Sequence, residues 1–269
     1  LFPLIIGNKI IIVFKFHERS FNLSKLDFYI RNLLIFKQNK MKKYFSLLLL
    51  FIFSNLLIAQ NIAFEQVGIS VKPGSGSQVV SLMDEFYGNI DKPEGVNISL
   101  NYVNFKADDI DVTHFITITG SVKALAELRE IRGGDKYGLY NSNMLRHAKV
   151  ISTIAGTTLL RMNLEKAGEP MAQVWRWNVD NPLDFGNEFS SLIKSFPQIG
   201  YLSLGQFTHG TSMKGESHYV YMSHKDYATA LGWGPKTPEQ QEAFLKFQKN
   251  TSKYSTFLGS LTMTTVKRW

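Results

Sequence analysis

The chain has no cysteine in its 269 residues. That excludes a thiol nucleophile, a thiolate metal site and any disulfide staple, so an apolar core must hold the fold. No Gly-x-Ser-x-Gly nucleophile motif is present. Gly74-Ser75-Gly76-Ser77 lacks the rest of a phosphate-loop pattern and is read as a flexible loop. His147, His209 and His224 have no metal-ligand spacing, and Asp108, Asp109 and Asp111 before His114 read as a solvated turn. The sequence therefore predicts no metal site and no cofactor. A lasting excess of positive charge is also missing. The formal charge is +8, but nine of the 30 Lys/Arg and only two of the 22 Asp/Glu lie in residues 1–60. The remaining 21 basic and 20 acidic side chains nearly cancel. Nothing in that balance favours nucleic acid as a partner.

The N-terminal region reads as two pieces. Residues 1–40 contain no Ala or Thr, begin with Leu1 and precede the first methionine, Met41. They are expected to be an upstream extension outside the fold. Ile10 to Phe14 is too short an apolar run to cross a bilayer, which takes about 20 residues. Met41-Lys42-Lys43, the apolar stretch Phe45 to Leu57, and Ile58-Ala59-Gln60 follow the order of a secretory signal peptide over residues 41–60, with cleavage expected after Ala59. The expected location is periplasmic or extracellular. No stable membrane insertion is expected after cleavage.

The rest is organised around a stretch used twice. Thr113-His114-Phe115-Ile116-Thr117-Ile118-Thr119 recurs as Ser217-His218-Tyr219-Val220-Tyr221-Met222-Ser223, 104 positions later. At the same offset Ser99-Leu100 meets Ser203-Leu204. Around each copy the hydrophobic period changes in one order. Gln66–Val71 alternates as a strand, Val79 to Phe86 is helical, and Val96–Phe105 is a second strand. The His114 strand leads to a helix that pauses at Gly133-Gly134 and resumes through Leu139 and Leu145. Gly156 is expected to end that region before a last strand, Thr157–Met162. The second copy runs from Gln173–Val179 to a helix opened by Asn181-Pro182, then Tyr201–Phe207 and the His218 strand. A helix restarted at Thr237 follows, and Gly259 is expected to end it before a strand at Leu261–Lys267. The predicted class is α+β: two tandem ferredoxin-like β-α-β-β-α-β units, over residues 61–166 and 167–269.

This order, the unit length, the interrupted second helix and the duplication resemble the dimeric α+β barrel superfamily of the antibiotic-biosynthesis monooxygenases. The resemblance implies that the two antiparallel sheets pair into one pseudo-dimeric barrel with helices outside. It also implies kinship with both enzymes and non-catalytic members, haem-binding ones among them. No catalytic residue transfers by motif.

Strand parity then places the candidates. Ile116, Ile118, Val220 and Met222 share a face with His114 and His218 and should meet the helices. Phe115, Thr117, Tyr219 and Tyr221 should look into the barrel and suit a small apolar or aromatic ligand. Trp175 and Trp177, with Arg176 opposite, offer a stacking platform. His114 and His218 are read as ligand-contacting or proton-transferring residues at a cavity mouth, or as histidines bonded to a loop. His218 and Tyr221 are the catalytic candidates. Three functions compete: a binding module, a cofactor-independent monooxygenase-type enzyme (or related isomerase or lyase), and a structural protein with a filled barrel. Further self-association is an open expectation.

Overall fold

The computed structural model describes residues 2–6, 9–13, 62–107, 111–211 and 215–269. The signal-peptide reading of residues 41–60, and Asp108 and Asp109, lie outside the described residues. The chain divides into two compact units, Leu1–Ala59 and Gln60–Trp269. In the first, β1 (Phe2–Ile6) pairs antiparallel with β2 (Lys9–Val13).

The second unit holds the repeat. Its first half is β3 (Ile62–Val71), α1 (Gly76–Tyr87), β4 (Asn97–Phe105), β5 (His114–Ser121), α2 (Val122–Ile131), α3 (Asp135–His147) and β6 (Ala148–Met162). A 3₁₀ turn at Leu164–Lys166 leads to β7 (Met171–Val179), α4 (Pro182–Ser195), β8 (Leu202–His209), β9 (His218–His224), α5 (Tyr227–Leu231), α6 (Pro238–Thr251) and β10 (Ser255–Arg268). Three of the helices start at side-chain caps where the sequence places them. Ser121 accepts from the Ala124 N–H, Asn181 from Asp184 ahead of Pro182, and Thr237 from Gln240 ahead of Pro238.

The eight strands close into a barrel in the order β10-β4-β5-β3-β6-β8-β9-β7. Within each half the spatial order is second, third, first, fourth. The fourth strand of each half pairs with the second strand of the other, β6 with β8 and β10 with β4. All neighbours are antiparallel. The first residues of β3, β4, β7 and β8 therefore share one rim with the last residues of β5, β6, β9 and β10. We call this the first rim; His114 and His218 begin their strands at the opposite one.

Helices cover the outer face of each half. Val79, Met83 and Phe86 pack on Ile69, Ile98, Ile116 and Ile118. Phe185, Phe189 and Phe247 pack on Leu204, Val220 and Met222. A third cluster, including Val103, Phe115, Leu261 and Met263, is built from barrel strands.

Three expectations are corrected. The last strand of the first half starts at Ala148, with Gly156 inside it, and that of the second half starts at Ser255, with Gly259 inside it. Both glycines sit at register shifts, where a glycine in a strand marks a bulge or close approach and not an end. Gly259 has φ +113, and a Cβ on Gly156 would collide with the Gln206 carbonyl across the seam. In α3, Tyr140 and Met144 turn inward while Leu139 and Leu145 are exposed. The break at Gly133-Gly134 starts a separate helix and resets its phase.

Candidate ligand cavity

The barrel encloses a cavity of about 730 Å³. Its walls come from alternate residues of both halves, as the pleat dictates. Phe115, Thr117, Tyr219 and Tyr221 all line it. The two halves line it differently. On the first-half side, polar groups bond to one another. Gln66 donates to Thr117 Oγ1 (3.1 Å), buried Asn101 donates to Ser99 Oγ (3.0 Å), and Thr265 donates to Asn101 Oδ1 (3.0 Å). On the second-half side, Tyr219 stands edge-on to Phe64 at 5.3 Å and tilts against Phe207 at 5.2 Å, while Tyr201 and Tyr221 meet at 5.8 Å. Gly205, at the repeat position of Asn101, leaves the Tyr219 ring its space, for a Cβ there would collide with the ring.

Three arginines complete the lining, and sequence reasoning named none of them as ligand residues. Arg176 is mostly buried and pairs with Glu216 at 2.6 Å. Arg161 faces the cavity from β6, and Arg268 from β10. Arg268 donates to the Glu169 carbonyl (3.0 Å) and to Thr265 Oγ1 (3.1 Å). The signal for Arg176 was its parity opposite the two tryptophans. Arg161 was hidden by the register shift between Thr158 and Leu160, which inverts the alternation.

Four candidates do not reach this cavity. His218 is buried on the outer face beside Phe185, and His114 lies against Tyr102. Each ring accepts or donates at Nδ1 with the hydroxyl before it, Thr113 Oγ1 at 3.0 Å and Ser217 Oγ at 2.9 Å. Those hydroxyls accept the N–H of Val71 and of Val179, both at 2.8 Å, tying the third strand of each half to the end of the first. This accounts for the repeated hydroxyl–histidine pair by structure alone. Burial pushes the imidazole pKa down at both histidines.

Trp175 and Trp177 also face outward. Trp175 meets Trp233 at 4.6 Å, and Trp177 meets Phe185 at 5.6 Å and Phe257 at 5.4 Å. They line a separate cavity of about 470 Å³ between the sheet, α4 and α6. Parity set them there, because Val174 and Arg176 take the inward positions.

Burial also governs the phenols. The Tyr221 pKa is pushed up to about 12, and that of Tyr219 is raised further. Both stay protonated at neutral pH, so each hydroxyl keeps a proton to donate. No histidine lines either cavity, and no group of three His, Asp or Glu among the described residues is placed to hold a metal. The residues lining the cavities do not fit a histidine-ligated haem.

No family model matches the chain. No curated protein matches it in sequence. Solved structures do match in shape. A proposed monooxygenase from Lactobacillus acidophilus NCFM is 13% identical with a TM-score of 0.53, over 77% of this chain and 95% of that one. A proposed monooxygenase from Fusobacterium nucleatum is 11% identical with a TM-score of 0.49, over 78% and 95%. A proposed chlorite dismutase is 13% identical with a TM-score of 0.47, over 77% and 95%. At such identities the likeness is one of fold. The closed order of eight strands and the internal repeat agree with it: this chain has the fold of a duplicated, ferredoxin-like α+β barrel closed within one polypeptide.

Proposed function

We propose that the protein is an exported binding module whose barrel interior holds one small, mostly apolar or aromatic molecule. The observation that carries this reading is the cavity of about 730 Å³, whose lining includes Phe64, Phe115, Tyr219 and Tyr221. Ligand pockets typically enclose roughly 300–1,000 Å³ with this mixture of aromatic wall and placed polar groups. A void of that size argues against a filled, purely structural barrel. Export rests on the signal-peptide pattern of residues 41–60 alone.

A second reading, a cofactor-independent monooxygenase-type enzyme acting on an aromatic substrate, draws on the fold shared with the Lactobacillus protein and on the aromatic wall. It needs a group that takes a proton near neutral pH. The buried phenols are held in the protonated form, Glu216 is engaged by Arg176, and no histidine lines the cavity. Binding therefore fits better than catalysis.

The test is a native mass spectrum of protein expressed from Met41 and recovered after export. The expected result is a chain starting at Gln60 or Asn61 that carries a small adduct. In the Tyr221→Ala variant the adduct should be lost while the fold remains. An adduct retained at full occupancy by that variant would place the ligand outside the barrel. Oxygen consumption with the released ligand would transfer the weight to the enzyme reading.

A further inference from the structure

We propose that the molecule held in the barrel is an organic acid, with its anionic group placed at the first rim between Arg161 and Arg268. The proposal rests on the cavity being a ligand site and specifies what the ligand must carry.

The two arginines occupy equivalent places. Arg161 pairs across the seam with Ser203, and Arg268 pairs across the other seam with Ser99. Ser99 and Ser203 are themselves a repeat pair, so each half brings one guanidinium to the same rim of the same cavity. Arg161 is half-buried, no ion pair among the described residues includes it, and its Nε is buried without a hydrogen-bond partner. A guanidinium partly drawn out of water without a protein partner is unfavourable, and a carboxylate is its natural complement. Arg268 uses one nitrogen on the Glu169 carbonyl and Thr265, and its positive charge is felt at the Tyr221 phenol.

The remaining charges agree with this direction. Glu216 is already paired with Arg176, and Asp111 lies at the opposite rim, where β5 begins. At the first rim the nearby carboxylate is that of Glu169, which accepts a hydrogen bond from Ser223 Oγ at 2.6 Å. The cavity is thus positive at one end, and its aromatic wall runs inward from there. Protonated Tyr221, which lines the same cavity, adds a donor for an acceptor oxygen. A molecule with an aromatic or aliphatic body and one acidic head matches both parts; a neutral hydrocarbon would leave Arg161 unpaired.

Two fluorescent probes of one skeleton separate the readings. 8-Anilinonaphthalene-1-sulfonate carries the anion, and N-phenyl-1-naphthylamine lacks it. Both should bind the wild-type protein one to one, the sulfonate at least tenfold more tightly at low salt, and added potassium chloride should weaken the sulfonate alone. Arg161→Met should abolish the preference and leave the neutral probe unchanged, and Arg161→Lys should restore part of it. The Lys variant and the salt series keep the test valid if the Met variant does not fold. Binding of both probes without a charge preference, or a preference undiminished in Arg161→Met, overturns the proposal while the cavity reading stands. Binding of neither probe overturns both.

Discussion

At the His218 ring, burial and one hydroxyl contact leave Nε2 without a partner, so the fold accommodates the neutral imidazole. Burial depresses the pKa of His114, His218 and His224 alike. The unfolded chain then takes up protons that the folded chain refuses, and stability is fully present above about pH 6.5 and falls as the pH drops towards the folded values. The melting temperature should therefore decline between pH 7 and pH 5.5, and less steeply in His218→Phe than in the wild type. The same slope in both would remove His218 from the account. Asp84 acts lower on the scale. Its hydrogen bond from Lys267, then that from Trp269, holds its carboxyl below the usual range, so its contribution is lost only as the pH falls through that depressed value. Glu216→Gln leaves the Arg176 guanidinium short of its counter-charge. It should cost about 3 kcal/mol in urea unfolding, near the lower figure for a buried pair that loses one member. Much of the cavity was legible at this scale. Alternation alone sends Phe115, Thr117, Tyr219 and Tyr221 inward and the histidines outward. Arg161 was not legible, because an unpaired residue at a bulge leaves no mark in the local pattern.

The long seam strands show what an element gains from a glycine that seems to interrupt it. Gly156 lets β6 lie close against β8, with the Phe64 ring 2.7 Å from where its Cβ would be. Gly156→Ala should destabilise the barrel by about 2–3 kcal/mol, through crowding that the carbonyl of Gln206 cannot relieve. Gly138, in exposed α3, has open space around it, and Gly138→Ala should stabilise by about 0.5–1 kcal/mol. Thermal unfolding of the two variants side by side checks both signs. The helices and first strands were readable because caps and periodicity are local. The starts of β6 and β10 were not, since a glycine that permits close approach across a seam looks in one sequence like a glycine that ends a strand.

The whole barrel depends on two seams, each joining the fourth strand of one half to the second strand of the other. Residues 62–166 alone would expose β4 and β6 as open edges, a pairing surface that rarely stays free. That fragment should sediment as a dimer or larger, or fail to fold; a stable folded monomer would show that the seams are dispensable. The duplication was visible in the sequence, but its closure into one barrel came from the resemblance, because no local pattern states which edges meet. Within this single polypeptide the two linings differ. Phe115 and Thr117 face the cavity where the other half presents Tyr219 and Tyr221, and Asn101 where it presents Gly205. A barrel of two identical chains offers a bound molecule two interchangeable poses. With an aromatic side facing an amide-and-hydroxyl side, this interior has no interchangeable poses left, so a bound molecule takes a single orientation about the barrel axis.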